Sequence, residues 1–188
     1  MDTRAERAGA GAPGAYEQAM DELADLPDHA RIRLLPVDPI LDQAAGAALR
    51  AAIDKLMRQF AHEGRVGRWA VEVLGGGAVL AIATLGAEEL SGCSQDKLAS
   101  LLAHHEQLGS RLIVAAPPIV VEIAGQPRCL DRRRLRAGAE RGEVTAASVH
   151  WDVRVATLGE WRRAGRRPVG ASWLAALLPE RTGAGPGT

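Results

Sequence analysis

Aromatic side chains are scarce in this 188-residue chain: one Phe, one Tyr and four Trp, 3% of the total. A core must therefore be built mainly from Ala, Leu, Val and Ile, and the 47% apolar content is enough to build one. The same scarcity counts against recognition of single-stranded nucleic acid, where aromatic rings stack on bases. Cysteine is equally sparse, and Cys93 with Cys129 makes neither a disulfide framework nor a zinc set. The histidines offer no ligand spacing. His104 and His105 are adjacent and point to different sides of a helix, while His29, His62 and His150 stand apart. No metal and no other cofactor is expected. Net charge is zero, unlike a dedicated nucleic-acid or membrane-surface protein. No apolar run is long enough to span a bilayer, and the longest candidate, residues 111–125, is broken by Pro117 and Pro118. No apolar signal stretch opens the chain, so the expectation is a cytoplasmic protein with reduced thiols.

Lysine is the next shortage. Of 23 basic residues, all but Lys55 and Lys97 are Arg. The charges are also unevenly spread. Glu6, Glu17, Asp21, Glu22, Asp25 and Asp28 load the N-terminal end with acid. Arg132, Arg133, Arg134, Arg136, Arg162, Arg163, Arg166 and Arg167 crowd the C-terminal third.

The pattern along the chain predicts a disordered or weakly helical segment over residues 1–27, rich in Ala and Gly at its start. Residues 31–37 read as a strand. Asp38 and Pro39 have the chemistry of an N-cap and first helical position. Leu41, Ala45, Ala48, Leu49, Ala52, Ile53, Leu56 and Phe60 then follow a helical period that Gly64 ends. Residues 68–74 alternate Trp69, Val71 and Val73 against Arg68, Ala70 and Glu72, a half-buried strand. Gly75, Gly76 and Gly77 connect it tightly to a second strand over 78–85. An amphipathic helix over 94–108 carries Leu98, Leu101, Leu102 and Leu108, Gly109 ends it, and 111–116 form the next strand.

The order strand, helix, strand, strand, helix, strand predicts an α+β fold with a ferredoxin-like split βαβ (βαββαβ) core over residues 28–117. A β/α extension over 118–181 follows and packs on that core. It comprises short strands at 119–123 and 126–130, a basic helix over 131–141 capped by Gly142, and a strand over 147–156. A helix opened by the capping box of Thr157 and Glu160 comes next, then a last short helix from Ser172 and Trp173. Trp151, Trp161 and Trp173 are expected to anchor these elements on the sheet. Residues 182–188 read as a disordered tail.

The most site-like string is Ser91-Gly92-Cys93-Ser94 with Asp96 and Lys97. Residues 90–95, LSGCSQ, superficially resemble the LSGGQ signature of ABC ATPases. That signature acts on ATP held by a Walker A loop, and the chain has no G-x-x-x-x-G-K-[ST]. Without a phosphate cradle or a Mg²⁺ ligand, phosphoryl transfer has no machinery. The turn falls where a loop becomes a helix N-terminus, with free N–H groups and a positive dipole end. Cys93 there is a candidate nucleophile, since a helix N-terminus favours a thiolate. Ser91, Gly92, Cys93, Ser94, Asp96 and Lys97 together form a candidate anion site, with Asp96 orienting Lys97. The plainer reading makes Ser94 the N-cap, Asp96 a first-turn acid and Cys93 a buried filler.

The chain also resembles a family of small bacterial proteins that share an SGCSxDK motif and are often labelled ABC transporter ATPases. The resemblance rests on Ser91, Gly92, Cys93, Ser94, Asp96 and Lys97, on Phe60, His62 and Gly64, on Gly142, Glu143, Val144 and Thr145, and on Ser172 with Trp173. Gln95 replaces an aliphatic residue of that family, and the first strand lacks its Trp and Tyr. The resemblance implies a shared fold over residues 31–178 and supplies no activity. Three functions follow as expectations. The foremost is a non-catalytic binding module with a protein partner, or less readily nucleic acid, at Arg132, Arg133, Arg134 and Arg136. The others are a thiol-dependent enzyme or redox sensor using Cys93, and an anion or nucleotide-metabolite site at the 91–97 turn.

Overall fold

A computed structural model describes residues 21–86, 92–107, 109 and 119–179. Strand β1 (Arg31–Pro36) leads through helix α1 (Gln43–His62) to β2 (Arg68–Leu74) and β3 (Val79–Leu85), and α2 (Gly92–Gln107) follows. β3 lies between β1 and β2 and runs antiparallel to both. The strand expected over 111–116 lies outside the described residues.

Strand alternation divides this first sheet into two faces. Leu35, Trp69, Val71, Leu80 and Ile82 point one way, and Leu49, Ile53, Met57 and Phe60 of α1 with Leu98 and Leu102 of α2 close over them. Trp69 is fully buried, and its indole N–H donates to Asp54 Oδ1 at 3.0 Å, which satisfies the one polar atom it carries inside.

The other face carries Ile32, Leu34, Ala70, Val79, Ala81 and Ala83. Alternation alone puts Ala70 in solvent; the structure buries it completely, because a second sheet covers this face. Its strands are β4 (Ile119–Ile123), β5 (Gln126–Leu130), β6 (Val149–Trp151) and β7 (Arg166–Pro168), in the antiparallel order β5-β4-β6-β7. Val120 and Trp151 of this sheet pack on the alanines, whose short side chains permit the approach. The outer face, with Ile119 and Val121, is closed by Leu135 of α3 (Arg132–Glu140), Val144, Val169 and Leu174. Helix α4 (Leu158–Ala164) joins the inter-sheet core through Leu158 and Trp161. The fold is therefore α+β, with helices outside two stacked antiparallel sheets.

Several local expectations change. α1 starts at Asp42 rather than Asp38: Asp42 Oδ1 accepts from the Ala45 N–H at 2.7 Å. The preceding segment is instead tied to the hairpin turn, since the Leu41 N–H donates to the Gly77 carbonyl at 3.0 Å. A Cβ on Gly77, where φ is 105°, would lie 2.1 Å from the Leu41 carbonyl oxygen, so the contact requires glycine. The strand expected over 147–156 is only three residues long, because the Asp152 carboxylate takes the Arg154 N–H at 3.2 Å and turns the chain. β7 had no periodicity to announce it. Trp151 is buried and Trp161 packs beside it, but Trp173 stays 39% exposed and anchors less than expected.

Residues 1–20 and 180–188 lie outside the described residues. Of the segment expected to be disordered or weakly helical over 1–27, residues 23–25 form a 3-10 turn, and Leu23 and Leu26 are buried. Arg162 holds this stretch by donating to the carbonyls of Leu23, Ala24 and Leu26 and to Asp28.

Candidate functional site

The turn that is most conspicuous in the sequence does not assemble as expected. α2 begins at Gly92, so Cys93 belongs to the first helical turn rather than the loop before it, and Ser91 lies outside the described residues. Cys93 is exposed rather than a buried filler, and its thiol makes no hydrogen bond among the described residues. Ser94 is the third residue of the helix and fully buried, so it is not the N-cap; its Oγ accepts from Arg65 Nη1 at 2.8 Å. Arg65 also pairs with Glu63 at 2.9 Å. The Gln59 hydrogen bond, with lesser help from Arg65, Lys97 and His62, outweighs slight burial and holds the Glu63 carboxyl below its ordinary range. Lys97 lies over the Phe60 ring, 6.0 Å from its centroid, rather than pairing with Asp96, and both are exposed. The structure thus brings Ser94 and Lys97 onto the end of α1 and leaves Cys93 and Asp96 in solvent.

Cys129 is a structural thiol. Its S–H donates to the Val37 carbonyl at 3.5 Å, and burial, with the nearby Asp38 charge, pushes its pKa up to about 11. Among the described residues, no group of three or more His, Cys, Asp or Glu is placed to hold a metal ion. No helix there is long and apolar enough to cross a membrane.

The arginine helix α3 assembles closely to expectation. Asp131 Oδ1 caps it by accepting from the Arg134 N–H at 2.6 Å. Gly142, at φ 74°, ends it in a Schellman motif: the Glu143 N–H donates to the Gly138 carbonyl at 2.9 Å and the Gly142 N–H to the Ala139 carbonyl at 3.0 Å. Leu135 packs on the second sheet, and the buried Gly138 lies against Val144. The outward face carries Arg132, Arg133, Arg136, Ala137 and Glu140, which line a concave surface of about 540 Å³. Arg134 reaches Asp38 at 4.0 Å, while Arg132, Arg133 and Arg136 make no ion pair or hydrogen bond among the described residues. Cations at a helix N-terminus oppose the macrodipole by a few tenths of a kcal/mol each, about 0.3–1. Four arginines within the first five residues of α3 are thus a local arrangement that an external anion would relieve.

Two further groupings escaped the sequence reading. On the outer face of the second sheet, Asp152 accepts from both Arg154, at 3.0 Å, and Arg167. Burial pushes the Asp152 carboxyl up, but the hydrogen bonds and charge of Arg154, with Arg167, outweigh it and hold it below its ordinary range. His150, directly opposite Arg167 across β6 and β7, is 2% exposed, and burial pushes its pKa down to about 4. Trp173 covers this cluster, edge-on to His150 with ring centroids 6.1 Å apart, and the Arg154 guanidinium lies 4.9 Å from its ring. The available signal was Asp152 two residues before Arg154, an Asx-turn spacing.

The second grouping is a cleft of about 410 Å³ between the start of α1 and the triple-glycine turn, lined among others by Asp42, Gly46, Arg50, Val73, Gly76 and Gly77. Its signal was Gly46, an isolated glycine within a helical pattern.

No protein-family model matches the chain, and neither the curated proteins nor the solved structures give a match.

Proposed function

We propose that this protein is a non-catalytic, cytoplasmic binding module that docks an acidic protein segment on the outward face of α3. The observation that carries this reading is that Arg132, Arg133 and Arg136, on one concave face, have no carboxylate partner among the described residues. Elsewhere in the C-terminal third, Arg154, Arg162, Arg163, Arg166 and Arg167 each pair with a carboxylate. Glu140 closes one end of the α3 surface, which suits a short acidic segment better than a long uniform phosphate backbone. The absence of an aromatic ring from that lining points the same way. The thiol-enzyme reading rests on Cys93 alone, and among the described residues no base is hydrogen-bonded to its sulfur.

A central β3 antiparallel to β1 and β2, with both long helices on one face, supports a ferredoxin-like unit; the fourth strand it calls for lies outside the described residues. Kinship with the SGCSxDK proteins is likewise proposed. Several residues that carry it hold structural positions: Phe60 in the core, Gly142 in the Schellman turn, and Ser172, which accepts from the Leu174 N–H at 3.1 Å. They support a shared fold rather than a shared activity.

Fluorescence anisotropy with a labelled Glu-rich helical peptide tests the proposal, with a single-stranded oligonucleotide of equal charge as the competing arm. The expected result is peptide binding that weakens with salt and disappears in R132E/R133E/R136E. Preference for the oligonucleotide, or equal peptide binding by that variant, would defeat it.

A further inference from the structure

The cleft at the start of α1 lies far from α3 in the element order and draws on different chemistry. Asp42, Gln43, Gly46, Ala47 and Arg50 recur at the spacing of a single helix face, beside the core-facing stripe of Leu49 and Ile53. Opposite them stand Val73 and the turn residues Gly76 and Gly77. Gly46 is not demanded by packing. A Cβ there would meet Val73 at 3.6 Å, an ordinary contact, and glycine is the poorest helix former other than proline. Alanine at 46 would fit and would favour the helix. What glycine preserves is the space of the cleft.

The charges at its rim are complementary to a zwitterion or a hydroxy acid. Arg50 makes no ion pair or hydrogen bond among the described residues. Its planar fork matches a carboxylate in two parallel bonds. Asp42 uses Oδ1 for the Ala45 N–H, and its Oδ2, without a partner among the described residues, can accept from a ligand donor. That carboxylate also repels a dianion, so phosphate is disfavoured. Leu41, Ala47 and Val73 supply a short apolar wall. The volume of about 410 Å³ falls within the range of natural small-molecule sites.

We infer that this cleft binds a small carboxylate bearing a hydroxyl or ammonium group, the carboxylate on Arg50 and the donor on Asp42. The inference is independent of the α3 surface.

Calorimetric titration of the full chain with L-serine, L-alanine, lactate, acetate and inorganic phosphate tests it. The expected result is saturable binding of serine, alanine or lactate, tighter than acetate, with amide shifts at Gly46, Ala47, Gly76 and Gly77. Arg50→Ala, an exposed position whose change should leave circular dichroism intact, is expected to weaken binding about 10-fold or more. Gly46→Ala is expected to raise the unliganded Tm by about 2 °C while weakening binding. R132E/R133E/R136E should bind as the native chain does, so failure here and failure at α3 are separate results. Absence of binding by all three donor-bearing carboxylates, equal binding by Arg50→Ala, or binding of phosphate alone would overturn the inference.

Discussion

Two groups of arginines occupy the C-terminal third, and they do opposite things. Along β6, β7 and α4, Arg154 and Arg167 converge on the nearly buried Asp152, Arg166 bonds Glu122 at 2.7 Å, and Arg162 gathers three backbone carbonyls and Asp28. Arg166 also lies 5.1 Å from the Trp151 ring, whose indole N–H donates to the same Glu122 oxygen at 2.8 Å. On α3, among the described residues, only Arg134 of the four leading arginines finds an acid, and at 4.0 Å. The first group fastens the N-terminal stretch and the sheet edge. The second leaves its charge outward at the positive end of a helix, where it gives the fold nothing. The same residue type is structural where a carboxylate meets it; where none does among the described residues, it is proposed as a contact for a partner.

The contrast breaks most readily at Asp152. Asp152→Ala removes the carboxylate that the partly exposed Arg154 and Arg167 share, and urea unfolding should show a loss of about 2 kcal/mol. A loss no larger than that of a surface substitution would erase the distinction. The neighbouring His150 sharpens it through pH. An unfolded histidine protonates near 6.5, whereas burial, opposed by Asp152 and assisted by Arg167 and Arg154, lowers the folded value to about 4. Stability is then complete above about pH 6.5 and falls as pH drops toward 4, by about 2 kcal/mol at pH 4.5, because the unfolded chain binds the extra proton. The lowered pKa of Asp152 adds a loss of the same sign at still lower pH. His150→Phe should flatten the upper part of that slope in a series of unfolding curves.

Arg162→Ala removes the ties to Leu23, Ala24, Leu26 and Asp28 and should lower stability by about 1–2 kcal/mol, with faster proteolysis ahead of residue 30 as its signature. The smallest effect belongs to α3. R132E/R133E/R136E replaces cations with acids at a helix N-terminus, so its stability should be unchanged or raised by about 0.5 kcal/mol, read from Tm. A marked loss there would place these arginines with the structural group.

Much of the fold was legible. The period of Leu49, Ile53 and Phe60 placed α1, and the Thr157–Glu160 box placed α4, both of its reciprocal bonds being present. The start of α1 is not legible, because Asp38 and Pro39 carry a cap's chemistry whereas the docking of Leu41 on Gly77, a tertiary contact, delays the helix to Asp42. The second sheet's cover over Ala70, Ala81 and Ala83 was illegible because alanine is equally at home inside and outside. At the 91–97 turn, Ser94 looked like a cap, and nothing in the local string named Arg65, its partner 29 residues earlier. The α3 patch was legible as charge. Which arginines lacked an acid depended on strands that meet only in the folded chain.

An amide chemical-shift titration of the native chain with the Glu-rich peptide bears most directly on the division between the two arginine groups. Shifts concentrated at Arg132, Arg133, Arg136 and Glu140, with Asp152, Arg154 and Arg167 unmoved, are the expected result. Shifts centred instead on Cys93 to Lys97 or on the Asp152 cluster, or no shifts at low salt, would contradict it.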